Sequence, residues 1–306
     1  MKKLSVIIFA MMMVMGAQAQ VKVAPKLAKG NEATYNTKVS MNVPGVENEI
    51  VMNINATFSV VEETPDGFII ATKPNSFESN VKEDDFLGQV MTMAVEMANK
   101  LKTQLVANKE GKIVGIKDYD KLKAESETLI NDMVDKVASK IPQEMAGMIP
   151  VDMLKQEAAE KISEKALVES MQNAGPFALN GRTIMTGAQE EYVGEQGMKM
   201  KRLYLLTSTD GKKIRTSGTL NMTKEEMKQM FIEQIEQSMP DQAEAVKQNI
   251  DMMMDNGMLK MEITDTSDYT LTDNQWVQSV TTTVVSSTMG QESKVTTTME
   301  LVDSKF

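Results

Sequence analysis

The stretch Leu105–Ile149 and the stretch Leu203–Gly257 follow one plan, and that duplication limits the folds open to this chain. In each, a charged residue, a glycine and a lysine (Glu110-Gly111-Lys112 and Asp210-Gly211-Lys212) separate two short apolar runs, and a long amphipathic segment follows and stops at proline. The prolines are Pro142 and Pro240. Glycine between two apolar runs predicts a hairpin turn. A phosphate-binding loop needs a longer glycine-rich segment feeding directly into a helix, which neither copy has. The unit is therefore hairpin, helix, proline, helix, used twice.

The remaining sequence supplies strands. Ala33, Tyr35, Thr37, Val39, Met41 and Val43 alternate with polar residues, as do Ile50, Met52, Ile54, Ala56, Phe58 and Val60. Both runs predict half-buried strands joined through Pro44-Gly45, with a third strand at Phe68–Thr72 after Pro65-Asp66-Gly67. The outward positions are mostly Asn, Thr and Ser, as suits a solvated antiparallel face. The period then changes to that of a helix at Leu87–Leu101, behind Asp84 and Asp85. A second helix carries Leu122, Leu129, Ile130, Met133, Val134, Val137 and Ile141, and a polar helix runs to about Met171.

Ala174-Gly175-Pro176 and Asn180-Gly181 mark a seam between two lobes near 174–181. Short strands follow around Thr183–Thr186, Glu190–Val193 and Met198–Thr207. Thr223 and Glu226 form a capping box for a helix whose buried stripe is Met227, Met230, Phe231, Ile235 and Met239. Three strands end the chain, at Leu259–Ile263, Trp276–Val285 and Val295–Val302. Strands before and after helices, without regular alternation, predict an α+β fold: a curved, half-barrel-like antiparallel sheet with long amphipathic helices on one face. Residues 20–306 are expected to form one two-lobed domain.

The amino terminus sets the expected compartment. Lys2 and Lys3, the apolar run Leu4–Met15 and Ala17-Gln18-Ala19 have the layout of a signal peptide covering residues 1–19. Export to a Gram-negative periplasm follows, without a lipid anchor, since the chain has no Cys. The fold must then stand without disulfides, on a chain long enough to bury a core. Acidic residues outnumber basic ones by 43 to 33, which argues against nucleic-acid partners. The chain also has no His, removing the usual base near neutral pH and the commonest metal ligand. His- and Cys-based triads, zinc sites and haem ligation through those residues are excluded. No catalytic residue, metal or cofactor is assigned, and the chain is expected not to be an enzyme.

Three features remain. Met occurs 29 times; it fills irregular cores and also lines adaptable binding surfaces. Met91, Met93, Met97, Met133, Met230 and Met254 are the candidates for a pliable apolar cavity, against the plainer reading that they replace Leu in the core. Copper(I) coordination by thioethers alone has little to recommend it. The only arginines, Arg182, Arg202 and Arg215, are candidates for an anionic head group at the cavity mouth. Acidic pairs such as Asp265/Asp268 read as solvated loop charges. Carboxy-terminal Phe306 does not signal an outer-membrane barrel, because Ser304 and Glu300 break the lipid-facing row.

In layout the chain resembles the lipoprotein-carrier type of periplasmic fold, a half-open β-barrel whose mouth is plugged by helices. It also resembles exported proteins of unknown function from Gram-negative gut-type bacteria, which share its signal, size and hairpin-helix order. The resemblance lies in order and not in motif residues. It implies an exported protein that binds or carries an apolar or lipid-like ligand between sheet and helices. The alternative is an envelope interaction protein with no small ligand, meeting a protein partner of unknown kind.

Overall fold

A computed structural model describes residues 20–42, 44, 48–82, 88, 92, 95, 96, 99–138, 155, 163–194, 198–238, 243–257, 259–288 and 291–306. Strand β1 is Gln20–Lys22, β2 Glu32–Asn42, β3 Ile50–Thr64, β4 Gly67–Ser79, β5 Gln104–Asn108 and β6 Ile113–Ile116. Helices α1 (Tyr119–Ala138) and α2 (Glu164–Asn173) follow, then β7 Thr183–Met185, β8 Gln189–Val193, β9 Lys199–Leu206 and β10 Lys213–Leu220. Helices α3 (Lys224–Ser238) and α4 (Ala243–Asp255) precede β11 Met261–Leu271, β12 Val277–Thr288 and β13 Gln291–Lys305.

Among the described residues, eleven strands form one antiparallel sheet in the order β6-β5-β4-β3-β2-β13-β12-β11-β10-β9-β8, and β1 pairs with β7. The fold is thus α+β with a curved antiparallel sheet that does not close. Its centre joins the first long strand to the last, with Tyr35 opposite Leu301 and Met41 opposite Val295. Both duplicated hairpin-helix units are present, as β5-β6-α1 and β9-β10-α3. Pro142, Pro240 and Gly45 lie outside the described residues, as does most of the segment Leu87–Ala98.

Alternation decides which face is inside. On β2, Ala33 and Tyr35 are buried while Glu32 and Asn36 are exposed; the inner row continues across β3, β4, β5 and β6 through Val60, Ile70, Phe68, Leu105, Ala107, Ile116 and Ile113. A second buried group, with Tyr204, Ile214, Tyr269, Leu271, Val277 and Val280, lines β9–β12. The segment 174–181 contributes to both groups. Phe177 packs into the first, and Ala178 and Leu179 into the second. Residues 174–181 are therefore a plug, with Pro176 to Asn180 all buried.

Both hairpin turns lean on the amino-terminal segment. Gly111 and Gly211 have φ of 77° and 72°, a backbone region that glycine enters without steric cost. A Cβ on Gly111 would lie 2.8 Å from Pro25 Cγ, and one on Gly211 would overlap Val21. Asn180 Nδ2 donates to Gly111 O at 3.0 Å, tying the plug to the same end.

Helix α2 sits between the sheet's two edges. Gln172 Nε2 donates to Ile113 O of β6, and Asn173 Nδ2 donates to Val193 O of β8 at 3.2 Å. The amide of Ile116 donates to Glu164 Oε1 at 2.9 Å. Side chains of one helix thus satisfy backbone groups on both edges.

The strand expectations fell furthest short at β4 and β11. Strand β4 continues past Thr72 to Ser79 through Pro74, which the sheet accommodates at a register shift beside Ala56, where a missing N–H breaks no ladder bond. Strand β11 runs to Leu271 and not only to Ile263; its inward Asp265 and Ser267 hide the apolar alternation.

The capping box is present. Thr223 N donates to Glu226 Oε2 at 2.9 Å, and Glu226 N to Thr223 Oγ1 at 3.2 Å. Glu226 also takes a hydrogen bond from Lys199, which, with the Thr223 amide, holds its carboxyl down at about 2. A depressed carboxyl stabilises the fold above its unfolded value, and that contribution disappears as pH falls from about 4.5 to about 2. Glu226→Gln is expected to flatten this part of an acid-denaturation curve followed by circular dichroism; an unchanged curve would remove the capping box from the acid response.

Candidate functional site

The inner wall formed by β8–β11 carries a run of polar side chains beside the apolar residues of the second buried group. Cross-strand register builds it. Arg202 on β9 faces Gly218 on β10, which faces Asp265 on β11; the next inner row runs Tyr204, Thr216, Ser267, Thr282. Glu190 lies beside Arg202, and Tyr192 beside Met200. Arg202 is 5% exposed and Thr216 1% exposed, so this polarity sits within the fold.

The groups are largely committed to one another. The Arg202 guanidinium lies 4.0 Å from the Tyr192 ring centroid, a cation–π arrangement. It donates to Asn173 O at 3.1 Å through Nη2, and Nη1 is 3.8 Å from Glu190 Oε1. Tyr204 donates to Glu190 Oε1. Arg182 uses its whole fork: Nε to Ala178 O at 2.8 Å, Nη2 to Gln172 O at 3.0 Å, and Nη1 to Glu190. Two arginines therefore hold the last carbonyls of α2, where the helix dipole favours cations.

Tyr192 reaches from β8 across two strands to donate to Asp265 Oδ2. Gly218 makes the reach possible, since a Cβ there would overlap the Asp265 carboxylate and lie 2.6 Å from the Tyr192 oxygen. Three buried atoms on this wall have no hydrogen-bond partner: Arg202 Nε, Thr216 Oγ1 and Asp265 Oδ1. Each unmade bond of this kind costs about 1–3 kcal/mol. Burial, with the bond to Asp265, pushes the Tyr192 phenol well above its ordinary pKa. Burial does the same at Tyr35, Tyr204 and Tyr269.

The residues singled out from the sequence divide. Arg182 and Arg202 come together around Glu190. Arg215 lies on the outer face, its fork on Asp268 at 2.7 and 3.1 Å. Met230 and Met254 pack with Phe231, Ile250 and Leu259 in the core between α3 and α4. Met133 is half-buried on α1. Met91, Met93 and Met97 lie outside the described residues. A cleft of about 670 Å3 lies at the turns joining β9 to β10 and β11 to β12, lined by residues such as Ser208, Asp210, Lys212 and Asp273. None of the nine candidate residues lines it. Among the described residues, no three acidic side chains gather as a metal site, and no helix is long and apolar enough to cross a membrane.

Sequence reasoning missed Glu190, Tyr192, Thr216, Gly218 and Asp265. The signal was present for Asp265 and Asp268: three positions apart on a strand, they must lie on opposite faces. Reading that segment as loop concealed it.

Gly218→Ala is expected to lower stability by about 1–3 kcal/mol in urea unfolding and to detach Tyr192 from Asp265; wild-type stability would show the wall to be slack. The raised phenols also predict alkaline behaviour. A phenol whose pKa is raised on folding stabilises fully below its unfolded value near 10, and loses that contribution as pH rises above it. Ultraviolet titration should show tyrosinate appearing together with unfolding, and ionisation of all tyrosines near pH 10 in the folded protein would contradict the burial.

No protein-family model matches the chain, and no curated protein does. This agrees with a resemblance of layout without motif residues. Among solved structures, the chain is similar to lipovitellin, from work on its lipid–protein interactions, at a TM-score of 0.40 and 8% identity. That match covers 92% of this chain and 26% of lipovitellin, so the chain spans about a quarter of that relative. DynF of the dynemicin biosynthesis pathway of Micromonospora chersina matches at a TM-score of 0.18 and 10% identity, over 93% of this chain and 86% of its own. A porin-like protein from Bacteroides uniformis matches at 0.17 and 10%, over 88% and 95%. At these scores the likenesses assign no function.

Proposed function

We propose that the inner face of the curved sheet holds the apolar part of an amphipathic, lipid-like ligand, and that the protein acts by binding and not by catalysis. One observation carries this reading. Near the plug, inner-face residues such as Ala33, Tyr35, Val60 and Ile70 are buried. Along the same strands toward the helix-bearing end, Val39, Met41, Met52, Ile54, Phe77 and Val295 remain partly exposed. An apolar inner surface left partly open to solvent is a typical feature of a ligand site. The basic, apolar and small-residue order of Lys2–Ala19 supports export.

A second reading has its own support. Val193, Leu203 and Leu205, at and beside the β8 edge, are about two-fifths exposed on the outer face, which favours a protein partner there.

Native mass spectrometry of the protein from its producing cells, followed by organic extraction, tests the first reading. A discrete added mass that extracts as lipid is expected, and Ile54→Asp should lower its occupancy about tenfold or more. A clean apo mass that stays apo when challenged with lipid extracts overturns the ligand reading. A stable complex lost on Leu203→Asp would favour the partner.

A further inference from the structure

The two walls of the sheet interior differ in what they can recognise, and the polar wall is specific enough to name a head group. It carries one cation, Arg202, with Arg182 reaching Glu190 from just before β7, and two carboxylates, Glu190 and Asp265; the phenols of Tyr192, Tyr204 and Tyr269 face the same groups. Arg182 has all three fork nitrogens engaged, and Glu190 has both oxygens engaged. What remains is one cationic donor, Arg202 Nε, one carboxylate acceptor, Asp265 Oδ1, and the Thr216 hydroxyl. Arg202 and Asp265 flank Gly218 in one inner row, and the Tyr192 phenol passes over the glycine between them.

An anionic head at this position would gain Arg202 but stand against Asp265 and Glu190. A cationic head would meet the reverse. A neutral group that both donates and accepts satisfies both unpartnered atoms without adding charge. A pair of hydroxyls does this, one donating to Asp265 and one accepting from Arg202. The Tyr192 phenol already donates to the other oxygen of that carboxylate, Oδ2, from a ring lying over Arg202, and so fills the space a head group needs to reach Oδ1. Tyr192 is only partly buried and stands on an edge strand, two residues before Gly194.

We propose that the β8–β11 wall selects a neutral, hydroxyl-bearing head group, as on a monoacylglycerol, over an anionic one, and that the incoming hydroxyl displaces the Tyr192 phenol from Asp265. This rests on the ligand reading above. The anionic head group expected from the arginines alone is replaced, because their charge is balanced within the wall.

The test uses matched twelve-carbon amphiphiles (monolauroylglycerol, laurate and dodecylamine) to displace a fluorescent apolar probe from the whole protein, below their micellar concentrations. Monolauroylglycerol is expected to bind about tenfold more tightly than either charged partner, the size of one good hydrogen bond. Tyr192→Phe keeps the ring over Arg202 and removes the competing hydroxyl. It should tighten monolauroylglycerol several-fold and leave laurate unchanged. Asp265→Asn should bring laurate to within about twofold of the monoglyceride, as the repulsion is lost. Near-ultraviolet circular dichroism of each variant establishes that it is folded. Laurate binding as well as or better than the monoglyceride overturns the head-group assignment while leaving the ligand reading intact. So does a preference that neither folded variant alters. No displacement by any of the three overturns both.

Discussion

An antiparallel sheet that curves without closing leaves two rows of unpaired backbone groups, and the rest of this molecule depends on how those rows are covered. Here α2 does it with side chains. Gln172 and Glu164 meet β6, Asn173 meets β8, and Arg182 and Arg202 hold the helix's terminal carbonyls. A backbone-to-backbone seam would have made a closed barrel with no way in from the side. A side-chain seam engages backbone groups on both edges, which are otherwise open to pairing, yet leaves the sheet an incomplete cylinder. The curvature of the sheet and the placement of the two arginines are thus parts of one arrangement.

The same arrangement explains why the interior has two characters. The wall made by β2–β6 is packed from Phe177 outward by aliphatic and aromatic groups, including the edge-to-face pairs Tyr35–Phe58 and Phe58–Phe177. The wall made by β8–β11 must meet the charged end of α2, and it answers with Glu190, Tyr204 and the Arg202–Tyr192–Asp265 series. Polar groups that fasten the helix therefore share the inner face of the sheet with apolar ones. An amphipathic interior follows from the mechanics of the seam.

Much of this was legible in the residues. Period-two runs at Ala33 and Ile50, the glycine-centred hairpins and the Thr223/Glu226 cap all mark elements by local chemistry, and each forms. The site was harder to see because it depends on register. Nothing in the sequence near Gly218 says that it will lie between Arg202 and Asp265, or that Tyr192 will pass over it. Apolar alternation locates strands only where the inner face is greasy, so the part of β11 beyond Ile263, whose inner residues include Asp265 and Ser267, read as a loop. The three arginines looked alike as a cluster; strand parity alone sends Arg215 outward and Arg202 inward.

The pairing of β2 with β13 bears on how the molecule is made. The middle of the sheet is a contact between opposite ends of the chain, with Glu32 opposite Lys305. During synthesis the first five strands of the sheet can assemble early, yet the strand that completes their inner boundary emerges last. Until then β2 is a bare edge some ten residues long, rich in β-forming Thr, Val and Tyr, on an incomplete sheet. Contacts of such long sequence separation slow folding. Keeping β2 unpaired with other edges until β13 is available is therefore a condition for building this sheet.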